Sequence, residues 1–350
     1  MKTNGNNSIA EQMVVGITMG DAAGIGPEIV VKALAEADTR RAAKFIIFGM
    51  NEQLCYAADR AELEPFWGRH QHEKISRDYP HKVVVADYDE YSVPPWIRGP
   101  SRVAGEASIR FCLDAIYAAQ AGIIDAVVTA PISKTSWKLA GADWPGHTEM
   151  FAARCKSPQK AMMFVSDSLK VALATIHEPL FEVRHKFTIG RVFEPIDLLN
   201  TALKKYFCIE NPKIGVAALN PHAGENGQFG DEEQRIISPA ILLAQEQGIN
   251  CLGPFSADTL FLQAARGEFD GVVAMYHDQG MIPIKLLSFE NAVNVTIGIP
   301  IIRTAPAHGT AFDIAGQNVA SPAGLKSAIR TAIQMAKTKK ACELANITNR

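Results

Sequence analysis

Along the chain, short and almost wholly apolar runs alternate with longer stretches in which apolar residues recur every three to four positions. The runs Val14–Thr18, Phe45–Phe48, Val83–Ala86, Ile123–Val128, Ala161–Val165, Val171–Thr175, Ile214–Leu219 and Gly271–Met275 predict β-strands. Several, Ile123–Val128 among them, lack polar alternation, which fits strands covered on both faces. Helical spacing predicts helices over Pro27–Ala35, Ala104–Ala121, Glu194–Tyr206, Glu232–Gln247, Ala257–Arg266 and Ala323–Lys337. Asp231 ahead of Glu232 and Glu233 suits a helix start, where negative charge meets the helix dipole. Gly248 after Gln247 suits a helix end. Alternation of this kind predicts an α/β fold with a largely parallel sheet.

The ends of three predicted strands carry the chemistry. His177 follows Val171–Thr175, His222 follows Ile214–Leu219, and His277 follows Gly271–Met275. Ligands of open α/β sheets bind beyond the carboxyl ends of the strands. Neutral imidazoles delivered there suit a divalent cation, with positions left open for substrate or water. Asp278, directly after His277, suits either an orienting carboxylate or a turn cap.

An anion seat is also expected. Gly146-His147-Thr148-Glu149 precedes a short helical stretch and offers backbone N–H groups, a hydroxyl and an imidazole. Lys285, Asn294 and Arg303 lie nine residues apart in the apolar stretch Met281–Pro306. Basic groups in apolar sequence need a counter-charge, because burying an unpaired charge is costly. A phosphate or carboxylate supplies one, and arginine grips it with parallel bonds.

The N-terminal loop Gly20-Asp21-Ala22-Ala23-Gly24-Ile25-Gly26-Pro27 follows a strand and opens a helix, yet its glycines lack the GxGxxG spacing of a dinucleotide fingerprint. Asp21 there suits binding or capping. The His- and Asp-rich stretch Arg69–Tyr91 carries no assigned function.

Length and composition narrow the field. A chain of 350 residues suggests two domains. A net charge of −2 gives no long-range attraction to nucleic acid or anionic lipid. No run approaches the roughly 20 apolar residues of a membrane span, and no signal-peptide pattern opens the chain. Residues Met1–Gln12 read as a frayed tail. Six scattered cysteines without a CxxC pair read as reduced thiols of a cytoplasmic protein.

Taken together, Met19–Glu28, Thr129-Ala130-Pro131-Ile132-Ser133-Lys134, Pro145–Glu149, Asn220-Pro221-His222-Ala223-Gly224-Glu225, Ala257-Asp258-Thr259, Met275–Gly280 and His308-Gly309-Thr310-Ala311 resemble the 4-hydroxythreonine-4-phosphate dehydrogenase family of vitamin B6 synthesis. The resemblance spans nearly the whole chain. It implies an isocitrate/isopropylmalate dehydrogenase-like fold of two α/β/α domains with the active site in the cleft between them. Residues 13–140 plus 299–350 would form the first domain, and residues 141–298 the second, carrying the metal ligands and a dimer interface.

The resemblance further implies a homodimer whose subunits share each site. It places a divalent metal (zinc, cobalt or magnesium) at His177, His222 and His277. Substrate would sit at His147, Thr148, Lys285, Asn294 and Arg303. NAD or NADP would sit along His308, Gly309, Thr310, Ala311 and Asp313. Asp258 and Lys285 are the candidates for general base. The implied reaction is oxidation of 4-phosphooxy-L-threonine at C3, then loss of carbon dioxide. Ala22, where the family usually has proline, and Glu225–Gly230 depart from its core pattern. D-threonate or D-erythronate 4-phosphate, an aromatic cis-diol carboxylate, or a non-catalytic binding role remain as alternatives.

Overall fold

The computed structural model describes residues 12–94 and 96–348. The tail expected at the N-terminus falls almost entirely outside them. The strands are β1 (Val14–Thr18), β2 (Lys44–Gly49), β3 (Gly68–Gln71), β4 (Val83–Asp87), β5 (Ala126–Thr129), β6 (Ala161–Val165), β7 (Lys170–Leu173), β8 (Ile214–Ala217), β9 (Cys251–Phe255), β10 (Gly271–Ala274), β11 (Val293–Ile297) and β12 (Arg303–Pro306). The helices are α1 (Gly26–Ala35), α2 (Ala37–Ala42), α3 (Asn51–Arg60), α4 (Arg102–Gln120), α5 (Lys134–Leu139), α6 (His147–Arg154), α7 (Leu180–Lys186), α8 (Ile189–Phe207), α9 (Ser238–Glu246), α10 (Ala257–Ala265), α11 (His277–Ser288) and α12 (Ala323–Thr348).

All twelve strands join one sheet in the order β3-β4-β2-β1-β5-β12-β11-β6-β7-β10-β8-β9. Pairing is parallel throughout both flanks, as the strand–helix alternation predicts. The exceptions fall together at the centre, where β12–β11, β11–β6 and β6–β7 are antiparallel. That reversal matters for the site. Because β11 runs against β12, its first residues lie beside the last residues of β12: Val293 pairs with Pro306 and Asn294 with Ala305.

One large apolar cluster fills the β1–β5 flank and runs under α4, α8 and α12. A smaller one packs β7 and β10 against α10 and α11 through Leu173, Val272, Leu260 and Ile284. Gly280 lets α11 lie close on β7, since a Cβ there would stand 2.7 Å from Leu173 Cδ2. Removing apolar surface from water at about 25 cal/mol per Å² drives both clusters.

Asp125 ties three distant segments at the edge of the first flank. Its carboxylate accepts from the Val14 amide (2.8 Å) and meets Arg77 (3.0 Å) and Lys340 of α12 (2.9 Å). Burial alone would raise this carboxyl, but those donors outweigh it and hold it below the ordinary value of 3.8. The folded state therefore binds this proton more weakly than the unfolded chain. The stabilisation is complete above that ordinary value and fades as pH falls through the lowered one. Asp125→Asn is expected to cost about 2–3 kcal/mol at neutral pH, read by urea denaturation, with the deficit shrinking in acid.

One expectation about cysteine is corrected. Cys208, the left-handed C-cap of α8, and Cys342 of α12 form a disulfide, so the six are not all free thiols. They are 134 residues apart, a pairing that only the packing of α12 along α8 brings together. Cys112 and Cys251 are buried and free; Cys55 and Cys155 are half-buried. No helix among the described residues is long and apolar enough to cross a membrane.

Candidate active site

A cleft of about 200 Å³ opens where β5 and β12 end. Its lining includes Thr129 and Lys134 from the β5 end and beyond, His147, Thr148 and Glu149 at the start of α6, His177, Asn294, Arg303, His308 and Gly309. The register explains this meeting. Arg303 and Ala305 of β12, Thr129 of β5 and Asn294 and Thr296 of β11 alternate onto one face of the sheet.

Arg303 forms the floor and is 3% exposed. Its guanidinium donates to Thr129 Oγ1 (3.1 Å from Nε, 2.7 Å from Nη2) and to Thr296 Oγ1 (3.1 Å). No carboxylate lies within ion-pair distance of it among the described residues. Burial pushes it down to about 10, against the opposing pull of Cys112 and Glu149. A buried cation bonded only to hydroxyls is costly to maintain. Such a group calls for a counter-charge.

Two further polar atoms face the same space without a partner, His147 Nε2 and Asn294 Oδ1. Burial, and then the Arg303 guanidinium, hold the His147 imidazole well below the histidine range. The ring is thus neutral at physiological pH. Since the unfolded chain binds this proton and the folded one resists it, stability falls as pH drops below about 6.5. His147→Gln is expected to flatten that part of the acid-stability profile, measured by melting temperature between pH 5 and 8.

The metal candidates divide. The tails of β7 and β10 stay paired past their strands, with Thr175 Oγ1 donating to Met275 O (2.8 Å). This sets His177 and His277 side by side, ring centroids 5.8 Å apart. Burial, Lys134 and His277 lower His177 below the usual range, which favours the neutral ring, with one nitrogen bearing its proton and the other free to accept. Asp278 Oδ1 lies 2.6 Å from His277 Nδ1, a contact that fixes the ring and leaves Nε2 without this partner.

His222 stands apart from this pair. It opens the turn Pro221–Gly227, where His222, Ala223, Glu225 and Asn226 all hold positive φ (51°, 54°, 42° and 56°). Such conformations cost roughly 1–2 kcal/mol each outside glycine and persist where the surroundings impose them. Here the buried carboxylate of Glu233 does so, accepting from the Leu219 and Asn220 amides (2.8 and 2.7 Å) and from Asn220 Nδ2 (2.9 Å). Among the described residues no three histidine, cysteine or acidic side chains are grouped to hold a metal ion. One chain alone thus does not gather the three imidazoles that the sequence suggested.

The other candidates are placed as follows. Thr148 lines the cleft, but Lys285 does not. It sits exposed on α11 and lines a neighbouring cavity of about 330 Å³ with Ile25, Phe289, Ala311, Ile314 and Ser321. The even spacing of Lys285, Asn294 and Arg303 hides a helix followed by two strands, so only the last two share a face. Asp258 is exposed in the first turn of α10, where Ser256 Oγ donates to it (2.7 Å). It does not line the cleft of this chain.

His308 and Gly309 line both cavities, and Ala311 lines the second. Thr310 contributes its carbonyl, which accepts from the Ile25 amide (3.0 Å). Asp313 likewise acts through its backbone, accepting from Gln317 Nε2 (2.7 Å). From behind, Arg98 Nε donates to Ala315 O (2.6 Å), and Arg60 donates to Gly316 O.

The N-terminal glycine loop is structural. Gly20 has φ 79°, and a Cβ there would stand 2.4 Å from Pro131 O. The buried Asp21 accepts from Ser136 Oγ (2.7 Å) and the Ala23 amide (3.0 Å). It thereby fixes α5 and the residue that opens it, Lys134. Lys134, Glu149 and Thr129 line the cleft without having been singled out by residue type. The strand-end argument that found the histidines applies equally to the segment after β5.

Fold and cleft together define an α/β enzyme with a buried arginine on the floor of a cleft that His147 and His177 also line. The family model described as "Pyridoxal phosphate biosynthetic protein PdxA" matches residues 41–332. A 4-hydroxythreonine-4-phosphate dehydrogenase of Geobacter metallireducens is 43% identical over 333 residues, covering 92% of this chain and 95% of its own. A D-threonate 4-phosphate dehydrogenase of Salmonella typhimurium is 41% identical, covering 93% and 100%. The crystal structure of a Klebsiella pneumoniae 4-hydroxythreonine-4-phosphate dehydrogenase superposes with a TM-score of 0.84 at 36% identity, covering 93% of this chain and 98% of that one. The chain belongs to the PdxA family.

Proposed function

We propose that this protein oxidises 4-phosphooxy-L-threonine at C3 with NAD or NADP, giving a β-keto acid that loses carbon dioxide to yield 3-amino-2-oxopropyl phosphate. The observation that carries this reading is the convergence of Arg303, His147 Nε2 and Asn294 Oδ1 on one cleft. The buried cation and His147 Nε2, a donor in the Nε2–H tautomer, match a phosphate ester, and the unpartnered Asn294 Oδ1, an acceptor, matches a substrate hydroxyl or amine beside it.

In this reading Arg303 and Thr148 bind the phosphate, with neutral His147 donating to it and Asn294 Oδ1 accepting from a neighbouring substrate hydroxyl or amine. Fixing that end orients C3 toward the cofactor cavity, the kind of positioning that removes much of the entropic barrier. His177 and His277 would hold a divalent cation, which when bound supplies Lewis acidity toward the C3 hydroxyl and the later carbonyl. The segment His308–Ala311 would hold the nicotinamide dinucleotide, whose own chemistry accepts the hydride.

The incomplete histidine set, exposed Lys285 and exposed Asp258 point to completion by a second copy of the chain. The second flank supports this with exposed Leu262 on α10, Ile282 and Leu286 on α11, and Phe289 just past its end. Apolar surface of that kind marks an interface. A cytoplasmic homodimer is the assembly we infer. Glu233→Ala should then cost activity more than fold, because it frees the His222 turn; kcat and melting temperature measured together would check this.

A second reading is a dehydrogenase for four-carbon sugar-acid phosphates, favoured by the full-length match to the Salmonella enzyme. Turnover of 4-phosphooxy-L-threonine against D-threonate 4-phosphate, followed by reduced-cofactor absorbance, decides between them. No turnover with either, alongside intact phosphate binding, would defeat both.

A further inference from the structure

The cleft adjoins a second cavity, of about 420 Å³, which His177 also lines. Four residues line both, Lys134, Thr148, Glu149 and His177. Lys134 is the only cation among them apart from any charge on the histidine. It is exposed and forms no ion pair among the described residues.

Its backbone is held firmly. Ser133 Oγ accepts from the Ser136 amide (3.1 Å), and Ser136 Oγ donates to buried Asp21 (2.7 Å). The side chain crosses above Gly146, with Cε 3.6 Å from where a Cβ would stand and Glu149 Oε2 3.5 Å from the same point. A flexible, strongly hydrated ammonium on a rigid base thus stands at the junction of the two cavities, which His177 also lines.

We propose that Lys134 binds the substrate's carboxylate and is the residue by which the site requires an acid. This rests on the reading above, in which the substrate carries a phosphate at one end and a carboxylate at the other. Arg303 serves the first. The histidine pair lies between, at the hydroxyl to be oxidised. The remaining anion falls to the ammonium at the junction of the two cavities, where a point charge on a flexible stem suits a group that must later leave.

The test compares the acid substrate with its carboxamide, reading reduced cofactor in the oxidation step for wild type, Lys134→Met and Lys134→Arg. Lys134→Met is expected to lower kcat/KM for the acid by about 10- to 100-fold and to leave that for the amide unchanged, so that the preference for the acid collapses. Lys134→Arg should keep most of the preference. Inorganic phosphate should raise the melting temperature of Lys134→Met as it does that of wild type, showing an intact fold and an intact Arg303 seat. Equal losses on acid and amide, or no loss on either, would overturn the assignment. Failure of the wild type on the acid itself would instead overturn the substrate reading beneath it.

Discussion

Arg303→Met is expected to cut kcat/KM for the phosphorylated substrate by roughly two to three orders of magnitude while leaving the free protein at least as stable as before. The activity loss follows from removing the charged donors of a buried anion seat, about 3–4 kcal/mol of binding. The stability side follows from the same burial. With no anion bound, the guanidinium is a desolvated charge partnered only by Thr129 and Thr296 hydroxyls. Replacing such a charge with an apolar side chain of similar length is often neutral or stabilising. The hydroxyls lose their donor, at about 1 kcal/mol each, which offsets part of the gain. Melting curves with and without inorganic phosphate separate the two. Phosphate should stabilise the wild type through binding to the native state and leave the variant unmoved. Wild-type turnover by Arg303→Met would remove the arginine from the site.

His177→Ala and His222→Ala should each abolish turnover with melting temperatures close to wild type, and chelators should do the same to the unaltered protein until divalent ion is returned. Both side chains are exposed, and surface substitutions usually move stability within about 0.5 kcal/mol. The larger prediction concerns the mixture. If His177 and His277 of one subunit meet His222 of another, a mixed dimer holds one site lacking both residues and one site lacking neither. Co-refolding equal amounts of the two inactive variants should then restore about a quarter of wild-type activity, as two-fold symmetry requires. A mixture that stays inactive while forming mixed dimers would place all three imidazoles in one subunit.

The legible part of the fold was the part with a simple period. Val14–Thr18 and Ala161–Val165 form strands at the bounds read from the chain, because strands covered on both faces are apolar throughout. β3 escaped notice, since Gly68-Arg69-His70-Gln71 lies at the sheet edge with half its residues exposed. β9 carries Gly253-Pro254, a pair that reads as a turn. In Met281–Pro306, Gly280 and Pro283 masked α11, and the apolar residues beyond gave no sign of where a helix yields to two strands.

At the site, residue type identified Arg303, Asn294, His147 and Thr148, which do share the cleft. It also suggested Lys285 by spacing alone, and the structure assigns that residue to the neighbouring cavity. Lys134 went unassigned because a lysine after a strand looks like any surface lysine. Its meaning comes from Asp21 and Ser136, more than a hundred positions apart in the chain.

What the chain alone determined is the alternation of elements and the kinds of group at their ends, since hydrophobic period and local turn chemistry act over a few residues. What only the folded molecule decided is which of those groups meet. The antiparallel reversal at β11 set Asn294 beside Ala305 and Thr296 against Arg303, on one face of the sheet, and pairing of the β7 and β10 tails set His177 beside His277 while His222 went elsewhere. Such meetings depend on strand order and register, which arise from long-range packing and leave no periodic mark in sequence.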